Sequence, residues 1–452
     1  MLKRTMDLFR HANSRKAHIA RMLAEDSKRS FWAFADQGIV SIGNFGVNIV
    51  LARQFDRVHH LSDYGAFWVL MELMIFINGI QAALLVYPLS VRGAVLDRPG
   101  LAKITSQSLL LTLLISPLLV LAMSATALIA ELPLSVGIWA GVALVAWQSQ
   151  EALRRSLMAH LRFRAASIGD IISYTGQFVS VIWLAYHDTL TLESAFQAMA
   201  LTSAISCLVQ ITQIGMHHST IRQTIEFAKE CWHLGRWVLF GNLTNFFSGA
   251  MFNWNFAYWA GLETLGIYYA LANLLRLANP LSFAVATLIT PTAARVNEKR
   301  GLQHAKRISL RFTLLGGILL LPYLSFLAAW PRLFIAVLYG WHSDYMIYAP
   351  VVRICAVAVG FVYLGIAASA YLNGIHRTRQ AFFGQVVYAA CYVLIVMPLT
   401  AKFGMYGAAW GWLIATVSAG ATYAYNVSRT EDQPREINPI PIEAEMETVP
   451  IQ

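Results

Sequence analysis

Charge is scarce in this chain. Asp, Glu, Lys and Arg make up 13% of its 452 residues, about half of the roughly 25% that a soluble domain carries on its wetted surface. The shortage excludes a water-soluble globular fold and a disordered chain. Catalytic signatures are missing as well. There is no Gly-Lys pair, hence no GxxxxGK[ST] phosphate loop and no expectation of ATP hydrolysis. No HExxH, GxSxG or DxD occurs, so protease, hydrolase and metal-dependent sugar-nucleotide chemistry lack their usual marks. Cysteine is rare: Cys207, Cys231, Cys355 and Cys391 form no CxxC pair, and three of them lie in apolar stretches. A cysteine there acts as a small hydrophobe, so no disulfide, metal or cofactor is expected. The first thirty residues lack the apolar core of a signal peptide.

What the chain has in excess is apolar surface. Hydrophobic residues reach 57%, and the mean hydropathy is +0.53. A membrane-spanning helix needs about 20 mostly apolar residues. Twelve stretches qualify, near 34–52, 64–90, 106–129, 134–153, 168–187, 193–214, 237–259, 264–291, 312–330, 350–372, 382–400 and 405–427. With the N-terminus in the cytoplasm, 28 of the 34 basic residues fall in the inner tails and loops. The outer segments hold Arg53, Arg57, Arg332 and Lys402, while Arg276 and Arg353 lie in spans or at their edges. This asymmetry predicts an even number of spans with both termini cytoplasmic. It also accounts for the net charge of +10 without a nucleic-acid partner. The bilayer is the expected solvent.

Two halves echo each other. A shift of 201 residues pairs Asn44-Phe45 with Asn245-Phe246, Leu61 with Leu262, Gly65 with Gly266, Asn78 with Asn279 and Ala83 with Ala284. A shift of 215 pairs Leu157, Arg162, Arg164, Ala166 and Gly169 with Leu372, Arg377, Arg379, Ala381 and Gly384. Six spans return the chain to its starting side, so the halves share one orientation, a recurrent transporter plan. The expected organisation is a basic tail over 1–30, amphipathic or disordered, a six-helix lobe over 31–214 and a cytoplasmic linker over 215–236. A second six-helix lobe over 237–427 and a disordered tail over 428–452 follow.

Polar groups in a bilayer are costly and face a partner or a wet cavity. They gather in spans one, two, seven and eight: Asp36, Gln37, Asn44 and Asn48; Glu72, Asn78 and Gln81; Asn242, Asn245 and Asn253; Asn273, Arg276 and Asn279. The last three, spaced by three, form one predicted ridge. A hydrophilic cavity between the halves is one reading of the set, and helix–helix glue is the other.

The run Ala35-Asp36-Gln37, Ser41, Asn44-Phe45 and Leu51-Ala52-Arg53, followed by Tyr64-Gly65, Gln81 and Tyr87-Pro88-Leu89, resembles a known family. So does the segment Leu157 to Gly169. Over residues 31–428 the chain is similar to the polysaccharide-transporter branch of the multidrug, oligosaccharidyl-lipid and polysaccharide (MOP) flippase superfamily, the O-antigen flippases included. The resemblance implies an all-α integral membrane fold of the multidrug-and-toxin-extrusion type, with twelve helices in two lobes. It implies a bacterial inner-membrane flippase, not an enzyme. The substrate would be an undecaprenyl-pyrophosphate-linked oligosaccharide, moved outward by alternating access, with a polysaccharide polymerase and other biosynthesis proteins as partners. On that reading Arg276 holds the pyrophosphate and Arg353 receives it later. Asn44, Asn48, Gln81, Asn245, Asn273 and Asn279 line the path, and Glu72 serves coupling or pairs with Arg276. The alternatives are a cation-coupled multidrug exporter of the same fold and a membrane glycosyltransferase or polymerase.

Overall fold

The structure is a computed structural model that describes residues 32, 35–58, 60–93 and 96–432. The tail expected over 1–30, and the tail expected over 428–452 beyond residue 432, lie outside the described residues. Among the described residues every regular element is helical. Lipid offers the backbone no hydrogen bonds, and a helix satisfies its own.

In chain order α1 covers 35–57, α2 Leu61–Gly93, α3 Arg98–Ile129, α4 Leu134–Ala159, α5 Phe163–Tyr186 and α6 Leu192–Ile214. The run Ile221–Arg276 is broken at Gly261, where φ is 84°, into α7 (221–260) and α8 (262–276). Then come α9 Asn279–Arg300, α10 Leu302–Ala329, α11 Pro331–Tyr339 and α12 Asp344–Gly374. Thr378–Ser428 is broken at Gly404, φ 55°, into α13 (378–403) and α14 (405–428). Among the described residues seven runs are long and apolar enough to cross a membrane, and the bent pair Asn253–Arg276 with Asn279–Arg300, taken as one span, makes an eighth.

Several starts follow local chemistry. The Asp97 side chain accepts from Gly100 N at the start of α3, and capping boxes open α6 (Thr191, Ser194) and α7 (Thr220, Gln223). Thus the stretch expected as a linker over 215–236 is helical from Ile221 onward. The predicted continuous span over 264–291 is corrected: α8 ends at Arg276 and α9 starts at Asn279, with a 50° bend between them. Pro280 is the physical cause. It donates no N–H, and its ring crowds the carbonyl four residues back, which belongs to Arg276.

The internal repeat has a structural signature. Between α4 and α5 the chain turns through Leu161 with φ 56°, and between α12 and α13 through His376 with φ 62°. These positions differ by 215. Arg162 N donates to Leu157 O at 2.9 Å, and Arg377 N to Leu372 O at 2.8 Å. Gly169 and Gly384, also equivalent, each make room for a side chain, Gln210 of α6 and the ring of Tyr423 of α14 respectively.

The described residues divide into two compact units. One takes those up to Leu277 with Phe326–Cys355 and Leu394–Gly411; the other takes Ala278–Ser325, Ala356–Val393 and those from Trp412 onward. In the first unit Leu85, Leu89, Leu101 and Ile104 pack against Phe227 and Cys231 of α7. In the second, Thr290 Oγ1 donates to Ala370 O at 3.2 Å and Asn426 Nδ2 to Gln380 O at 2.9 Å. All four cysteines are free.

Candidate functional site

Within the first unit α2 and α8 pack side by side. Tyr64, Trp68 and Glu72 recur every fourth residue on α2. Tyr269, Asn273 and Arg276 do nearly the same on α8, so each helix presents one ridge. Glycine brings the backbones together. A Cβ on Gly65 would fall on the carbonyl of Leu262, and one on Gly266 on the carbonyl of Leu61. Just beyond, the rings of Trp68 and Tyr269 stack at 4.0 Å and 4°. Leu61 and Leu262, Gly65 and Gly266, and Trp68 and Tyr269 all differ by 201, the shift of the repeat. Equivalent residues thus touch reciprocally, the pattern of a two-fold contact, and the constant offset makes the helices parallel.

Arg276 lies beside this stack. Its Cζ lies 4.3 Å from the Trp68 ring centre and 5.3 Å from that of Tyr269, a cation–π arrangement worth about 0.5–2 kcal/mol. Among the described residues its N–H groups donate to no side chain or carbonyl. Glu72 lies near Asn253 and Tyr269 and in the electrostatic field of Arg276. Asn253 is buried, and its Oδ1 has no partner.

A polar chain leads away from the stack. Buried Asn273 donates to the Tyr64 hydroxyl at 3.1 Å. That hydroxyl donates to Asn48 Oδ1 at 3.5 Å, and Asn48 Nδ2 to Asn44 O at 2.8 Å. The structure therefore unites Glu72, Asn273 and Arg276 on facing ridges, with Asn44 and Asn48 joined through Tyr64. Other expected site residues lie elsewhere. Gln81 is buried and donates to Gln148 O at 2.9 Å. Arg353 is exposed, its Nε donating to Ala328 O at 3.2 Å. Asn279 is exposed, beyond the bend after α8, so the predicted ridge of Asn273, Arg276 and Asn279 is interrupted at its last member. The side chain of Asn245 lies outside the described residues.

A second cluster escaped the sequence reading, which counted Arg154 and Arg155 as loop charge. Arg154 of α4 has a side chain 6% exposed. Its Nη2 lies 2.5 Å from Asp36 Oδ2 of α1, its Nε 2.5 Å from Asp170 Oδ2 of α5, and its Nη1 3.1 Å from Glu151 Oε2. Arg155 Nε reaches Glu151 Oε1 at 2.6 Å, and Gln150 Nε2 donates to Asp170 Oδ1 at 3.3 Å. A π-helical turn, Ile171–Thr175, follows Asp170 directly, a device frequent at functional sites. Three helices are thus tied by one guanidinium. A signal existed in the sequence: Glu151 stands three and four residues before the two arginines, and Asp36 and Asp170 interrupt apolar runs.

Residues 101–345, more than half of the chain, match the family model described as polysaccharide biosynthesis protein. The chain belongs to the polysaccharide biosynthesis protein family. No curated protein matches its sequence. Solved structures share the fold of this chain. A multidrug resistance MATE family transporter of the MOP superfamily, inward-facing, aligns with TM-score 0.70 at 13% identity over 88% of this chain and 98% of its own. A MOP superfamily transporter from Pyrococcus furiosus, reported for the reverse polarity of its binding pocket, aligns with TM-score 0.53 at 14% identity over 88% and 97%. The chain thus joins membership of this family to the fold of these transporters, with several helices among its described residues long and apolar enough to cross a membrane.

Proposed function

We propose that the chain is a flippase that moves an undecaprenyl-pyrophosphate-linked oligosaccharide or polysaccharide precursor from the cytoplasmic to the outer leaflet of the bacterial inner membrane. The two lobes, 31–214 and 237–427, would alternate access, and a polysaccharide polymerase would act next on the exported precursor. Family membership supports the substrate class, but the observation that carries the reading is the setting of Arg276. Its guanidinium carbon lies 4.3 Å and 5.3 Å from the ring centres of Trp68 and Tyr269, a cation fixed beside two aromatic rings. A guanidinium edge matches phosphate oxygens two at a time and keeps its charge at any accessible pH. A cationic drug at 4 Å would instead be repelled by about 4 kcal/mol at an effective dielectric near 20.

Export of surface glycan from cells carrying Arg276→Gln tests the reading. Losing a charge-assisted hydrogen bond costs about 1.5–3 kcal/mol, so export is expected to fall about 10–100-fold at normal protein abundance. Arg276→Lys keeps the charge without the fork and should retain part of the activity. Undiminished glycan export by the Gln variant, with drug resistance altered instead, would establish the multidrug-exporter alternative.

Glu72 is the coupling candidate, since it alone among the residues of this stack carries a carboxylate. Glu72→Gln preserves shape and removes charge. Export is expected to lose its dependence on the proton gradient. A variant that still follows the gradient like the parent leaves Glu72 with a packing role through Asn253 and Tyr269.

A further inference from the structure

α3, α4 and α6 enclose a groove of about 670 Å³ that shares no residue with the Arg276 stack or the Arg154 cluster. Its walls are apolar, with Leu109, Leu113, Val145, Leu153 and Leu208 among them. Leu113 and Leu208 are more than half exposed, so the groove opens sideways on a surface that faces lipid. One end is polar, built from Ser106 of α3 and the segment His217, His218 and Ser219. His217 N donates to Ser106 Oγ at 3.0 Å, which pins that segment to α3 and leaves both imidazoles exposed. Ser219 Oγ is buried without a partner.

Length and charge choose the occupant. Along α3 the groove reaches from Ser106 to Val120, which at 1.5 Å per residue is roughly 21 Å. One leaflet of a hydrocarbon core about 30 Å thick is roughly 15 Å deep, so the groove suits one acyl chain lying along a leaflet. The polar end is also the basic end. Lys103 stands one turn before Ser106, and Arg162 Nη1 is held by Gln213 O at 2.8 Å in the last turn of α6. An apolar slot closed by imidazoles among fixed cations fits a fatty chain with an anionic head.

We infer that this groove binds an anionic phospholipid of the inner leaflet, one acyl chain between α3, α4 and α6 and the phosphate against His217 and His218. The leaflet follows from the side to which the distribution of basic residues assigns that end. The polyprenyl chain of a lipid-linked substrate carries a similar phosphate and is the competing source.

Native mass spectrometry of the full-length protein in detergent tests this, with phosphatidylglycerol, phosphatidylcholine and undecaprenyl phosphate as probes. Phosphatidylglycerol is expected to be retained over phosphatidylcholine. Its affinity should drop about tenfold or more in the His217→Ala/His218→Ala variant, the weight of a hydrogen bond to a charged group. Leu113→Trp, at an exposed wall position, should block the slot while leaving the fold intact, and it serves alone if the histidine variant does not accumulate. Parental retention in these variants, or equal retention of the two phospholipids, overturns the site. Displacement of phosphatidylglycerol by equimolar undecaprenyl phosphate overturns the occupant in favour of the substrate lipid.

Discussion

Arg154→Gln is expected to lower stability by about 3–5 kcal/mol, because it strands two carboxylates in the interior. Asp36 and Asp170 are fully buried, and both oxygens paired with Arg154 belong to different helices. Glutamine has hydrogen-bond donors but no charge, so two anions would repel each other where solvent cannot screen them. The native cluster itself is not a large source of stability, since desolvating three ions offsets most of their attraction. The asymmetry gives the test. Asp36→Asn/Arg154→Gln/Asp170→Asn removes every charge of the buried core and should recover most of the loss. Melting temperature in detergent and abundance in the membrane report both effects. Equal melting of parent and Arg154→Gln would mean that the cluster is hydrated or protonated and ties nothing together.

The contrast between the two clusters explains what was legible in the sequence. Glu72, Asn273 and Arg276 stood out because polar side chains in apolar runs are rare, and helical periodicity put them on shared ridges. The repeat was legible for a related reason: Gly65 and Gly266 occupy equivalent points, and their lack of a side chain is the property that the contact uses. Arg154 was illegible as a buried group because a basic residue at the end of a span obeys the topology rule whether it faces water or a carboxylate. Its partners Asp36 and Asp170 lie 118 and 16 positions away, and no periodicity within one helix reports a contact between helices. The bend after Arg276 was hidden by hydropathy, which runs evenly across Asn279-Pro280 while proline breaks the backbone ladder. Gln81 and Arg353 are polar in apolar runs too, and the partner of each is a backbone carbonyl, of Gln148 and Ala328, that residue type alone does not announce.

Gly65→Ala is expected to abolish the proposed export through geometry alone. The new methyl group would meet the carbonyl of Leu262 and the backbone N of Gly266, and backbone in a helix cannot rotate away as a side chain can. The helices must separate, an overpacking that costs about 1–3 kcal/mol. The separation falls one turn from the Trp68–Tyr269 stack, which depends on a 4.0 Å approach. Once those rings part, Arg276 loses its place beside the two rings and Asn273 its bond to Tyr64. Gly317→Ala is the matched control. Its Cβ would have its nearest neighbour, Tyr363 Cε1, at 3.8 Å, an ordinary contact, and alanine favours a helix over glycine by about 1 kcal/mol. The expected result is a lower melting temperature and lost export for Gly65→Ala, with Gly317→Ala equal to the parent or slightly more stable. Normal export by Gly65→Ala would show that α2 and α8 work without close contact. The stack would then be a packing feature, and Arg276 would have to act from some other support.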